Sequence, residues 1–416
     1  VGVEEVNQDP RVRALLALAL VGCYSALVFW YRLPGLSEDK QPLCMIPAWP
    51  LGPLGGALPP DHFWLRVYGY HLQMLCLLGV FWLWWARDGL VPLLLLGLVW
   101  LNELWLYLND VCLATNGIHL QLALSLLLLL SRRRLAAARM GLVVGFWLLA
   151  LGECNESWWT AALWIPVKTG APGVLACRGK VLLDFCLPSM WWAAKGRWRQ
   201  AAALGLSLLL LGWAPVLGME TAVVLLPILW LCGAGSPARP DARALVLLML
   251  ALLGGLSRFA YRGDSRLTGC GGRLGLNMLD ANRQVDLHIE ILEGEERYRI
   301  HLFVPWADRL PGNEPAQPQL DLSLARSGEA EQTKLPIRGA LVDSRGDVIF
   351  NPRLVAHSAW TRALSDPHFY VGYARQLFAT HPPDRLSLQL DLQLDGNPER
   401  FHVLNVPDFR PEGSSW

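Results

Sequence analysis

Charge is scarce in this chain. Asp, Glu, Lys and Arg make up 17% of its 416 residues, against about 25% in a typical soluble protein. The two signs nearly cancel, 36 basic against 35 acidic, for a net charge of +1. No basic field therefore points to nucleic acid. Of the 9 cysteines, none sits in a Cys-x-x-Cys pair or near a histidine at metal spacing, so no metal is expected. There is no glycine-rich phosphate loop, no serine-hydrolase elbow and no His-Glu-x-x-His helix. What remains is apolar: 53% of the residues are hydrophobic and 20 are Trp. That composition excludes disorder, collagen and a small disulfide scaffold, and it argues against a wholly soluble globular protein.

The apolar residues are unevenly placed. Residues 1–257 hold almost all the long apolar runs, 258–283 read as a linker, and 284–416 read as a domain of ordinary polarity. A hydrocarbon core of about 30 Å needs roughly 20 apolar residues per helix. Nine candidate spans follow, at 14–31, 64–86, 90–108, 112–131, 140–162, 174–193, 200–213, 216–232 and 242–257. The predicted fold class is a polytopic α-helical membrane protein of about nine transmembrane helices with a C-terminal β-rich extracytoplasmic domain. The seventh and eighth spans flank Trp213-Ala214-Pro215 and are either two short helices or one broken helix.

With nine crossings, the basic segments Arg11/Arg13, Arg87, Arg132–Arg139, Lys195–Arg199 and Arg239/Arg243 fall on one side. The positive-inside rule then puts the N-terminus in the cytoplasm and the last domain outside a cell (inner) membrane. The first apolar run continues through Phe29-Trp30-Tyr31 without a small-residue cleavage site, so it reads as a retained helix. Most cysteines read as small buried hydrophobes. Cys44 and Cys270 lie outside the strongest runs, and a disulfide between them is open.

In the last domain, Val285–Ile291 and Leu386–Leu392 alternate with strict period two, as half-buried strands do. Asp395-Gly396 is a hairpin turn signal, with Arg400–Leu404 as the returning strand. Pro367–Phe378 reads as an amphipathic helix, and Pro311–Gln332 as a loop rich in Pro, Gly and Glu.

Ionisable groups inside the spans are Arg66, His71, Glu103, His119, Glu153, Arg178, Lys180, Asp184 and Glu220. Such groups are costly at bilayer depth and usually face a cavity or a partner. Lys180 and Asp184, four apart on one helix, are placed to pair. The groups Trp82/Trp84/Trp85, Trp158/Trp159 and Trp191/Trp192 suit an aromatic belt at the bilayer surface.

The order of several segments resembles the vitamin K-dependent γ-carboxylase family, whose bacterial relatives are the HTTM (horizontally transferred transmembrane) proteins. Leu108-Asn109-Asp110 with Asn116-Gly117-Ile118-His119-Leu120 is similar to the family's Asn-Asn-His-Tyr-Tyr-Leu hairpin. Asn155…Ser157-Trp158, Gly179-Lys180-Val181-Leu182-Leu183-Asp184 and Gly218-Met219-Glu220 resemble further membrane segments. Asp366-Pro367-His368…Tyr373–Leu377 and Leu388–Asp391…Leu394–Pro398…Phe401 resemble the family's outer helix and hairpin.

The resemblance implies a lysine base, reduced vitamin K or another quinol as cofactor, and carboxylation of a peptide glutamate. Aligned on Trp158, the family's lysine position is occupied by Glu153. The hairpin histidine falls on Gly117, and no histidine precedes Gly218. The implied catalytic residues are Glu153, His119 and Lys180, and the implied cofactor-binding residues are Asn116, Asp184 and Trp158. The implied partners are the lipid bilayer and a peptide or protein on the outer side, with no nucleic acid. Two alternatives stand beside this one. The first is a non-carboxylating relative that binds a peptide or protein through its external domain. The second is another membrane quinone or lipid redox enzyme.

Overall fold

The computed structural model describes residues 9–31, 62–86, 89–109, 116–161, 170–217, 219–233, 239–260, 283–304, 319–326, 329–331, 341–342, 348–350, 365, 367–380 and 382–410. Among the described residues, ten helices come first: α1 Pro10–Tyr31, α2 His62–Trp85, α3 Leu90–Asn109, α4 Asn116–Leu130, α5 Arg134–Glu153, α6 Glu156–Trp159, α7 Gly170–Ala193, α8 Gly196–Leu217, α9 Met219–Gly233 and α10 Ala242–Ala260. Strands β1 Arg283–Glu293, β2 Glu296–Val304, β3 Gln319–Arg326, β4 Glu329–Glu331, β5 Leu341–Val342 and β6 Val348–Phe350 follow. Helix α11 Pro367–Thr380 and strands β7 Arg385–Leu394 and β8 Phe401–Val406 close the described chain. The molecule is thus mostly helical with a small antiparallel sheet.

The nine-span architecture is not what the structure holds. Among the described residues, only α5 has both the length and the apolar composition of a bilayer crossing, and most of it is buried inside the structure. Within the described residues, the apolar stretches His71–Trp85, Leu90–Leu104, His119–Leu130, Ala222–Gly233 and Ala242–Leu256 are each 10–17 residues long. The reason is physical. An apolar run does not mark where a helix ends or where ionisable groups interrupt it. The run at 140–162 stops being α5 at Glu153, α7 carries Arg178, Lys180 and Asp184, and α8 opens with Arg197 and Arg199. The chain between 200 and 232 does not break at Trp213-Ala214-Pro215. Instead α8 runs on to Leu217 and α9 starts at Met219.

Helix α5 packs against α1, α4, α7, α9 and α10. Its 20 residues span about 30 Å. Around its start the basic segments meet. Arg139 Nη2 donates to Trp191 O at 2.5 Å and Trp192 O at 3.0 Å, filling carbonyls at the end of α7. Arg133 Nη1 donates to Arg239 O at 3.3 Å. Asp241 joins two elements here. Its Oδ1 accepts the Ala244 N–H at 2.9 Å as the cap of α10, and its Oδ2 accepts from Ser131 Oγ at 3.2 Å and from the Arg132 N–H. Burial pushes the Asp241 carboxyl up, but the donors of Ala244, Arg132 and Ser131 outweigh that and hold it below the ordinary carboxylate value.

The main sheet has strand order β4-β3-β2-β1-β7-β8, and every neighbouring pair is antiparallel. One face is apolar: Val285, Leu287, Ile289 and Ile291 of β1 align with Ile300 and Leu302 of β2 and Leu388 and Leu390 of β7. Helix α11 covers this face with Tyr370, Val371, Ala374 and Leu377. The reading of Pro311–Gln332 as loop needs correcting, because β3 and β4 lie inside it. The Leu320-Asp321-Leu322-Ser323-Leu324 alternation was masked by the Pro and Gly around it.

All six described cysteines are free thiols, and Cys186 is exposed where a buried one was expected. A Cys44–Cys270 pair lies outside the described residues. Trp158 and Trp191 are buried in the interior, not set in a surface belt, whereas Trp84 and Trp85 are exposed.

Candidate active site

Glu153 is the last residue of α5 and is 0% exposed. The helix stops there because Asn155 offers the backbone a better arrangement. Asn155 is extended (φ −141°, ψ 168°), its Oδ1 accepts the Trp158 N–H at 3.2 Å, and its Nδ2 donates to Gly152 O at 3.0 Å. One amide thus fills a carbonyl at the end of α5 and caps α6. The reversal carries Trp158, 2% exposed, back into the interior.

Helix α7 supplies the other half. Its buried positions Cys177, Val181, Asp184, Pro188 and Trp191 recur at spacings of four and three, a stripe facing the rest of the bundle. Asp184 lies within that stripe, and Lys180 is one turn before it. Lys180 Nζ stands 2.6 Å from Asp184 Oδ2 and also donates to Glu153 Oε1. It lies 4.9 Å from the centre of the Trp158 ring, within cation–π range. Lys180 keeps 16% side-chain exposure, so the cluster retains one edge toward the outside. Glu153 Oε2 is buried without a hydrogen-bond partner.

Fully ionised, two carboxylates and one ammonium sum to −1. One further proton brings the cluster to zero, the state that burial favours. The arrangement can therefore take up and release a proton.

Of the residues singled out from sequence, the structure brings Glu153, Lys180, Asp184 and Trp158 into one cluster. Asn116 and His119 are on the first turn of α4, which returns to α5 through residues 131–133. They lie in the half of the helical domain that holds Glu153. His119 is half-buried, and the side chain of Asn116 lies outside the described residues, as do those of Arg66 and Glu220.

Two neighbours of the cluster lie in segments quoted from the sequence but were not among the implied site residues. Asn155 is one, although an Asn directly before a short helix is a cap signal. The other is a contact across the molecule. Ser157 Oγ donates to Asp395 Oδ2, at the tip of the β7–β8 hairpin. Asp395 (φ 49°) and Gly396 (φ 74°) both take left-handed backbone, and Asn397 N–H closes the turn on Leu394 O at 2.8 Å. Nothing in the local sequence marks a contact spanning that much chain.

A second buried polar group lies elsewhere in the bundle. Both Glu103 carboxyl oxygens and Asn102 Nδ2 are buried without hydrogen-bond partners. Gln121 Nε2 donates nearby to Ala19 O at 2.9 Å, to Ser125 Oγ at 3.1 Å and to Cys23 Sγ at 3.3 Å. Set against known proteins, the chain matches no family model, no curated protein and no solved structure.

Proposed function

We propose that the helical domain is a divergent quinol-dependent, carboxylase-like enzyme whose base is the Glu153–Lys180–Asp184 cluster. One observation carries this reading. Lys180, arriving from α7, bonds the residue that occupies the position of the family's lysine. An amine is thus supplied to the same place from a different helix.

The residues fit a quinol. Glu153 Oε2 is a buried acceptor without a donor and would take a phenolic hydroxyl. Trp158 offers a flat apolar wall beside it. A bound quinol would supply the acidic hydroxyl and the electrons that reduce dioxygen, the co-reactant drawn from solution. The chain's own part is to accept the quinol's proton, which brings the cluster to the neutral state that burial favours, and to keep water out with Trp158 and α6. Lys180 positions Glu153 by its hydrogen bond and balances the pair of carboxylates.

A membrane setting belongs to the same proposal. Leu94, Leu98 and Leu101 of α3 and Val246, Met249, Leu250 and Leu253 of α10 are exposed at helical spacing. Apolar faces of that extent are covered by lipid or by a partner. The peptide or protein substrate would meet the end of the domain that faces the sheet, where Ser157 touches Asp395.

The test is turnover. Purified full-length protein in detergent is incubated with reduced vitamin K, dioxygen as the oxidant, labelled CO2 and glutamate-containing peptides. Quinone epoxide and fixed label are expected, and both are expected to vanish in Lys180→Met. Wild-type protein that is folded and yields neither product overturns the proposal.

A further inference from the structure

The polar face of the sheet, opposite α11, carries a group that the proposed enzyme does not use. Asp286 and His288 alternate out of the apolar face of β1, two residues apart. His301 stands directly across from His288 on β2. Strand register alone thus puts a carboxylate and two imidazoles on one patch of a six-stranded sheet. Their donor atoms converge: His301 Nε2 is 2.8 Å and His288 Nε2 is 3.2 Å from the same oxygen, Asp286 Oδ1. The three donor atoms all lie within 4.8 Å of one another.

We infer that Asp286, His288 and His301 form a binding site for a divalent transition metal of the zinc class. Zinc at about 2.0–2.1 Å from each of four tetrahedral ligands sets neighbouring ligand atoms about 3.3–3.4 Å apart. The two contacts to Asp286 Oδ1, 2.8 Å and 3.2 Å, are shorter, so the ligands spread by a few tenths of an ångström to take the ion. Two nitrogens and one oxygen are a ligand set that zinc, copper and nickel accept and that calcium and magnesium do not prefer. Three protein ligands leave a fourth position for water or an outside ligand.

The setting supports the site. All three residues are on paired strands rather than loops, so their backbone is held on both sides. Asp391, opposite Asp286 on β7, is buried and already engaged by His402 Nδ1 at 2.7 Å and Gln389 Nε2 at 3.1 Å. It adds a second negative charge beside the site. Arg400 Nη1 lies 3.6 Å from Asp286 Oδ2 and holds the carboxylate by its other oxygen, leaving Oδ1 turned toward the histidines.

The two imidazole rings are stacked, with centroids 4.3 Å apart and planes 3° from parallel. Binding therefore turns each ring about χ2, a broad torsion for histidine, until both Nε2 lone pairs aim at one point beside Asp286 Oδ1.

The experiment uses full-length protein stripped with a chelator, equilibrated with Zn2+ and freed of unbound metal by gel filtration. Wild type is expected to keep one more zinc per chain than His301→Ala or Asp286→Asn. His402→Gln, outside the triad, is expected to match wild type. Co2+ in place of Zn2+ reports the ligands: absorption of a nitrogen–oxygen set, lost in His301→Ala, supports the site. Equal zinc in wild type and His301→Ala overturns it. So does a cobalt spectrum dominated by thiolate charge transfer and unchanged by the substitution. Neither readout depends on carboxylase turnover.

Discussion

Among the described residues, Lys180 is the one cation paired with Glu153 and Asp184, and two buried carboxylates depend on it. Replacing it with Met leaves Glu153 and Asp184 without a counter-charge in the interior. Removing one partner from a buried ion pair costs about 3–5 kcal/mol, so Lys180→Met should unfold at clearly lower temperature in detergent. Adding Glu153→Gln and Asp184→Asn to that variant should restore most of the loss, because the orphaned charges are then gone. Equal melting temperatures for Lys180→Met and wild type would show that the cluster carries no such strain. The Lys180–Asp184 half was legible in the sequence, since residues four apart share a helix face. The Lys180–Glu153 half was not, because it joins different helices and no periodicity encodes it. Trp158 shows the same limit. Its composition and position suit a bilayer surface, and only the Asn155 reversal turns it inward.

Among the elements, α10 depends most visibly on one residue at its start. Asp241 caps the helix and holds the Ser131–Arg132 connection between α4 and α5. Asp241→Ala is expected to cost about 1 kcal/mol, as lost caps do. The cap also sets a pH dependence. The folded carboxyl lies below its ordinary value, so its stabilisation is complete above the unfolded value of about 3.9. It is then lost as pH falls through the lower folded value. The stability gap between wild type and Asp241→Ala should narrow in that acidic range and stay constant above it. A gap unchanged by acid would remove Asp241 as the titrating cap. Strands were the most legible elements, since β1 and β7 keep period two throughout. Helix ends were the least legible, because caps such as Asn155 and Asp241 act through single hydrogen bonds.

Across the whole molecule, the Ser157–Asp395 hydrogen bond ties the sheet to the helical domain beside the buried cluster. The two side chains should behave as one unit. Ser157→Ala and Asp395→Ala together should cost less than their separate effects added, by about 0.5–3 kcal/mol. Denaturant midpoints of the four proteins in such a cycle give the answer, and strict additivity would show that the contact couples nothing. The division into an apolar first part and a more polar last part was legible from composition. The number of crossings was not, since it depends on where helices end and on how much of each is covered by its neighbours. The strand order of the sheet has one more consequence. β1 is made before the other described strands of its sheet, yet it sits between β2 and β7. During synthesis its second edge waits, unpaired and apolar, until α11 and β7 emerge. Pairings of such long separation form slowly, and an open edge meanwhile invites other chains. The β7–β8 hairpin, whose tip reaches Ser157, therefore completes the sheet late, and a ribosome stalled before β7 would leave a nascent chain in need of a chaperone.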